Sequence, residues 1–241
     1  NVKVILWGLG AMGGGIGKML TKKKGVDIVG AIDIGAKVGK SLYEVVPGIV
    51  KGDREDVIVG TPEEVIKPGV ADIVVVCTNS FTKDVFDKLV FVMERGMNVI
   101  TSAEEMAYPQ AQEPELAKKL DEIAKKNGVS VMGTGINPGL IMDLLVVLWT
   151  AACEEVNHVT SRRVNSLSPF GPAVMEEQGI GISVEEFNER KANGTMAGHV
   201  GFAESTMMIC DALGWKWEDF GQDMEPIVTD VDRKSPYGFA A

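Results

Sequence analysis

Basic residues are the scarce charged class: 24 lysines and arginines face 34 aspartates and glutamates, a formal net charge of −10 over 241 residues. That balance argues against nucleic acid or an anionic membrane surface as the main partner, because both require a basic patch. A local basic pocket for a phosphate or carboxylate is still compatible with it. Cysteine is sparser still. Cys77, Cys153 and Cys210 are odd in number and far apart, and without CxxC spacing they indicate neither a disulfide framework nor a thiolate metal site. They are expected to be small buried residues in a reducing compartment, the cytoplasm. Long apolar runs are missing too. The longest, 139–152, falls short of the roughly 20 residues a membrane helix needs. Asp143 interrupts it, so it is expected to be a buried core helix and no membrane partner is expected. Residues 2–8 are apolar but run into a glycine loop with no small-residue cleavage site, so no secretory signal is expected. The chain starts without methionine and stops soon after an extended-looking segment, 225–231, and it is expected to be part of something longer. There is no internal repeat and no low-complexity tract.

Hydrophobic residues make up 45% of the chain, enough for one large domain or two modest ones. Short β-branched runs at 2–7, 26–32, 57–59, 72–78, 98–101 and 129–132 read as strands. Most are apolar at successive positions, as in parallel strands covered on both faces. Helical stretches alternate with them at 12–22, 39–46, 62–66, 82–95 and 112–126. The last two carry Val85, Leu89, Val92, Met93 and Leu116, Leu120, Ile123, Ala124 at helical spacing. Gly25, Gly96 and Gly128 supply the stop signals. Strand–helix–strand repetition predicts an α/β fold, a Rossmann-type doubly wound parallel sheet with right-handed crossovers. After Met132 the pattern changes. Gly133-Thr134-Gly135-Ile136-Asn137-Pro138-Gly139 is a loop, with Asn137 as candidate N-cap and Pro138 at the first position of a helix through Ala152. A β-branched strand is expected at 156–165, a Pro/Gly loop at 168–182, a helix at 184–192 with a Ser183/Glu186 capping box, and another at 201–213. A dinucleotide-binding domain, 1–132, followed by a smaller α+β substrate-binding and oligomerisation domain, 133–241, accounts for this order.

The first strand runs into Gly8-Leu9-Gly10-Ala11-Met12-Gly13 and then a helix, the context that GxGxxG requires. Gly8 allows the tight turn, Gly10 lets a pyrophosphate approach the backbone, and Gly13 lets the helix lie close on the strand. The amides of the helix start, including Ala11 and Met12, and the helix dipole favour phosphate. The second strand ends at Asp33, ~20 residues on, where a carboxylate would accept hydrogen bonds from the adenosine ribose. NAD or NADP is the expected cofactor. S-adenosylmethionine enzymes use a similar loop and acid, and form a minor alternative. Asp33 favours NAD because it would repel a 2′-phosphate. Lys37 and Lys40 follow in a glycine-containing turn, either to meet that phosphate or as solvated surface lysines, so dual cofactor use is open.

In open parallel sheets, ligands lie beyond the carboxyl ends of the strands. Thr78, Asn79 and Ser80 would face the nicotinamide ribose, and Thr101 with the residues after it the carboxamide and substrate. Glu104 and Glu105 are either catalytic and amine-binding groups or first-turn acids on a helix dipole. His199 is either a proton-exchanging group near neutrality or a helix-entry residue bonded to backbone. His158 is expected to be structural. Arg162 and Arg163 are two of only six arginines. On a strand they point to opposite faces, so one can clamp a carboxylate.

The glycine fingerprint, the strand end Val99-Ile100-Thr101-Ser102-Ala103-Glu104-Glu105, the loop Gly133 to Gly139 and the stretch Gly198-His199-Val200-Gly201-Phe202-Ala203-Glu204-Ser205 together resemble the 2,4-diaminopentanoate dehydrogenase family. That family lies within the dihydrodipicolinate-reductase-like group and acts in ornithine fermentation. The resemblance runs along the whole chain, and its more specific parts are the Asn-Pro-Gly loop and the His199 stretch. Members are usually longer. Dihydrodipicolinate reductase itself carries paired histidines followed by a lysine, whereas the two histidines here, 158 and 199, are far apart, which favours the amine dehydrogenase. The resemblance implies NAD(P)-dependent oxidative deamination of a small diamino acid substrate, with ammonia released. His199 and Glu104 would be catalytic. Arg163 would bind the substrate carboxylate, Glu105 or Glu104 the second ammonium, and Asn137 the substrate. A homo-oligomer, at least a dimer, built through the strand of the second domain is expected. The alternatives are a dehydrogenase or reductase acting on diaminopimelate, aspartate, a semialdehyde or dihydrodipicolinate, and a non-catalytic dinucleotide sensor.

Overall fold

The computed structural model describes residues 1–167, 175–176, 178–196, 198–231, 233–234 and 239–240. Its centre is a six-stranded sheet in the order β3-β2-β1-β4-β5-β6, every ladder parallel. The strands are β1 (Val2–Trp7), β2 (Val26–Ile32), β3 (Val59–Gly60), β4 (Ile73–Val76), β5 (Asn98–Thr101) and β6 (Val131–Gly133). The helices between them are α1 (Ala11–Leu20), the short α2 (Leu42–Val45) and α3 (Pro62–Val65), α4 (Thr82–Met93) and α5 (Pro114–Asn127). All six expected strands exist: β1, β2 and β5 have the expected bounds, and β3, β4 and β6 are shorter or shifted by one or two residues. Of the region expected to be helical at 39–46, only α2 is helical, and a 3-10 turn, Gly35–Lys37, precedes it. Two unexpected 3-10 turns, Glu104–Ala107 and Pro109–Ala111, separate β5 from α5.

Helices on both faces cover the sheet, which explains why its strands are apolar at consecutive positions. One core layer joins Ile5, Val74, Val76 and Val99 to Val85, Leu89, Val92 and Met93 of α4 and Leu120 of α5. The other joins Val4, Leu6, Ala31 and Val59 to Leu42 and Val46. Each fully buried aliphatic side chain contributes roughly 1.5–3 kcal/mol. The strand order reverses between β1 and β4, and there the carboxyl ends of the strands leave a crevice.

The chain beyond Gly133 departs more from expectation. No helix starts at Pro138: Gly139 has φ +119°, which a right-handed helix cannot contain. The helix begins later, as α6 (Leu144–Thr150), and its N-cap is Asp143, which accepts from the Leu144 amide. Nor is it a buried core helix, since none of its residues is buried and Trp149 is 71% exposed. Residues 156–165 form no strand. A strand exists only by pairing its backbone with a neighbour, and no neighbour is offered among the described residues. The expected helices at 184–192 and 201–213 are present as α7 (Val184–Ala192), capped by Ser183, and α8 (Phe202–Leu213), which packs on α6. The loop expected at 168–182 lies partly outside the described residues. A two-residue antiparallel ladder, β7 (Arg233–Lys234) with β8 (Phe239–Ala240), closes the chain. The cysteines are free. Cys77 and Cys210 are half-buried, but Cys153 is exposed, on the solvent side of the turn after α6. Among the described residues no helix is long and apolar enough to cross a membrane.

Candidate active site

The glycine loop sits at the crevice. The Gly8 amide donates to the Ile32 carbonyl at 2.9 Å, bending the chain out of β1, and Gly8 has φ +95°. A Cβ on Gly13 would fall inside the Gly8 carbonyl, so only glycine lets α1 start so close to the strand. Gly10 differs: nothing lies within 4 Å of where its Cβ would be. Ala11 and Met12 are exposed, and no side chain caps the first turn of α1. This open face with uncapped amides fits a pyrophosphate.

Asp33 closes the loop on its other side. Its Oδ2 accepts from the Leu9 amide at 2.8 Å and its Oδ1 from the Ile34 amide at 2.7 Å. Lys37 Nζ donates to Oδ2 at 2.7 Å and to the Leu9 carbonyl at 3.0 Å. Burial pushes the Asp33 carboxyl up, but Lys37 and the two amides together hold it below its ordinary value. These residues fit the ribose end of a dinucleotide, and Lys37 is already engaged there.

At the end of β4, Thr78 and Asn79 are exposed and Ser80 half-buried. Lys88 of α4, which carries no motif, donates to Thr78 Oγ1 at 3.1 Å and to Asn79 Oδ1 at 2.6 Å. The Ser80 carbonyl accepts from the Glu105 amide at 3.1 Å, tying this loop to the one after β5.

The side chains of Thr101 and Glu105 are both engaged within the fold. Thr101 is fully buried, and its hydroxyl accepts from the Ala103 amide at 3.1 Å, so the side chain shapes the turn. Glu105 is 7% exposed, and its Oε2 takes the Thr82 amide at 2.7 Å, satisfying a free donor at the start of α4. Glu104, its neighbour in the same 3-10 turn, is half-buried, and its carboxylate has no hydrogen-bond or ion-pair partner among the described residues.

The Gly133 to Gly139 loop brings the second group of candidates together. Asn137 Nδ2 and His199 Nε2 lie 2.9 Å apart, a hydrogen bond in which the amide donates when that ring nitrogen is unprotonated. The Asn137 Oδ1 is buried without a partner among the described residues. The His199 ring lies on Phe202, with centroids 4.4 Å apart, and borders a cavity of about 290 Å³. Burial pushes the His199 pKa down, and the nearby Arg163 guanidinium pushes it further. Thus His199, Arg163 and Asn137 converge, and the bond His199 makes is to a side chain and not to backbone. Arg162 is exposed, and His158 is an exposed residue bonded to Thr160.

Residues without a motif hold this group in place. Asp143 is fully buried and accepts from the Gly139 amide, the Leu144 amide and the Ser205 hydroxyl at 2.6, 2.7 and 2.9 Å. Glu204, also fully buried, takes Gln112 Nε2 at 2.7 Å, while its Oε2 has no partner among the described residues. Burial, with Glu105 adding to it, raises the Glu204 pKa. Tyr108 donates to Asp211 at 2.5 Å, and burial together with that carboxylate pushes its pKa up to about 12. Only the Glu204 stretch had any signal in the sequence, through its place beside His199.

Residues 140–240 match the model of the 2,4-diaminopentanoate dehydrogenase C-terminal domain. The 2,4-diaminopentanoate dehydrogenase of Acetoanaerobium sticklandii is 66% identical over all 241 residues, which cover 68% of its length. Among solved structures, the amine dehydrogenase from Mycobacterium smegmatis superposes with a TM-score of 0.77 at 25% identity, over the whole of this chain and 71% of that one. The chain therefore belongs to the 2,4-diaminopentanoate dehydrogenase family.

Proposed function

We propose that the chain catalyses the NAD(P)-dependent oxidative deamination of 2,4-diaminopentanoate to 2-amino-4-oxopentanoate and ammonia. The relative at 66% identity bears that enzyme's name, and the similar solved structure is an amine dehydrogenase. The observation that carries the catalytic assignment is the division of labour between adjacent glutamates: Glu105 is engaged by the Thr82 amide, and Glu104, beyond the carboxyl end of β5, has no hydrogen-bond or ion-pair partner among the described residues. An amine bound at neutral pH is an ammonium, and it must lose a proton before C4 can give up hydride. Glu104 is the group placed to take that proton. The nicotinamide ring, when bound, accepts the hydride. Gly8, Gly10, Ala11, Met12 and Gly13 hold the pyrophosphate, Asp33 the adenosine ribose, and Thr78, Asn79 and Ser80 the nicotinamide ribose.

Arg163 clamps the substrate carboxylate, and Asn137 orients both substrate and His199. Kept neutral by burial and by Arg163, His199 positions the water that hydrolyses the imine at C4, releasing ammonia. Residues 1–132 form the dinucleotide-binding unit, and 133–241 supply the substrate side. The enzyme acts in the cytoplasm, in ornithine fermentation, as a homodimer in which the exposed apolar face of α6 is covered.

Steady-state turnover of 2,4-diaminopentanoate, followed by NADH or NADPH absorbance, tests the reading. Glu104→Gln is expected to lower kcat by about 10²–10⁴-fold, the usual contribution of a positioned base, with the melting temperature unchanged. Nucleotide binding without turnover of this or any related diamino acid would sink the proposal and leave a sensor.

A further inference from the structure

We propose that Lys37 sets the choice between NAD and NADP by occupying, in the free protein, the place on Asp33 that an adenosine ribose hydroxyl must take. The inference rests on the reading that the Gly8 loop and Asp33 receive a dinucleotide.

A carboxylate has about four acceptor positions. On Asp33, the Leu9 amide and Lys37 Nζ fill both positions of Oδ2, and the Ile34 amide fills one on Oδ1. One position is left. A ribose diol bound to such a carboxylate donates two hydrogen bonds, so the second hydroxyl finds its acceptor taken by an ammonium. The amides of Leu9 and Ile34 cannot leave, because they belong to the loop and the strand end that shape the site. Lys37 can. It sits on the 3-10 turn Gly35–Lys37, its side chain is 37% exposed, and its only other partner among the described residues is the Leu9 carbonyl. Displacing it disturbs no core contact.

The displaced ammonium remains tethered beside the ribose. Opposite a plain 2′-hydroxyl it gains nothing, and NAD binding is weakened by the lost ion pair with Asp33. Opposite a 2′-phosphate it gains a stronger partner than the carboxylate it left, and it offsets the repulsion between Asp33 and the phosphate. One lysine thus opposes NAD and favours NADP. Lys40, three residues on, is exposed and makes no side-chain bond among the described residues, so it serves as a control.

Isothermal titration calorimetry with NAD⁺ and with NADP⁺, on the unaltered chain and on Lys37→Met, Lys37→Arg and Lys40→Met, tests this. Lys37→Met should tighten NAD⁺ about fivefold, the size of a half-exposed ion pair, and weaken NADP⁺ roughly tenfold or more, the scale of a lost charge-assisted bond. Lys37→Arg should keep the NADP⁺ affinity and Lys40→Met should alter neither. If Lys37→Met moves both affinities in one direction, or neither, the inference is overturned and the site reading stands. If the unaltered chain binds neither nucleotide, the site reading fails and this inference with it.

Discussion

The sheet and the segment after Gly133 handle similar apolar sequence in opposite ways. In α4, Val85, Leu89, Val92 and Met93 are wholly inaccessible, pressed between the sheet and its neighbours. In α6, Leu144, Leu145, Leu148 and Trp149 stay 40–71% exposed. The second region buries few apolar side chains, Phe187, Met196, Ala203 and Ile209 among them, and polar groups tie it together: Asp143 with its three donors, Asn137 with His199, Gln112 with Glu204, and Tyr108 with Asp211. Hydrophobicity in a sequence records that a surface is to be covered. It does not record what covers it.

The sharpest way to break this comparison is a matched pair of truncations. Leu89→Ala should cost about 3 kcal/mol in urea denaturation, the scale of a core cavity. Leu148→Ala should stay within about 0.5 kcal/mol for the isolated chain. Equal effects would mean that α6 is buried in solution, and a change in sedimentation on Leu148→Glu would then report the homodimer. Next in size, Asp143→Ala should cost about 2 kcal/mol by stranding the Gly139 and Leu144 amides. It should also reduce turnover by moving Asn137, whereas Leu89→Ala should lower stability with turnover intact where the protein is folded.

The smallest effects are in pH. His199 has its folded pKa depressed below the ordinary 6.5, so the unfolded chain binds the proton more readily. Its contribution to stability is therefore lost as pH falls from about 6.5 toward the folded value. Glu204 has its folded pKa raised above 4.5, so its contribution is lost as pH rises from 4.5 through the folded value. Thermal melts of His199→Asn and Glu204→Gln across this range should each remove one of these slopes and leave the other.

The sequence by itself determined the nucleotide half: sheet, crossovers, glycine loop and Asp33 were all legible from it. The reason is that these features are local. A strand, a turn that tolerates only glycine, a helix start and an acid at the next strand end follow one another in the chain, so spacing alone encodes them. Tertiary structure decided which of two adjacent glutamates is free. Thr82 claims Glu105 from 23 positions away, and neither residue type nor neighbours announce it. It likewise decided that Asn137 meets His199 across 62 positions, that Asp143 and not Asn137 caps α6, and that residues 156–165 are not a strand. Each of these depends on which distant donor or edge arrives at a hydrogen-bonding group, and that is fixed only when the chain packs.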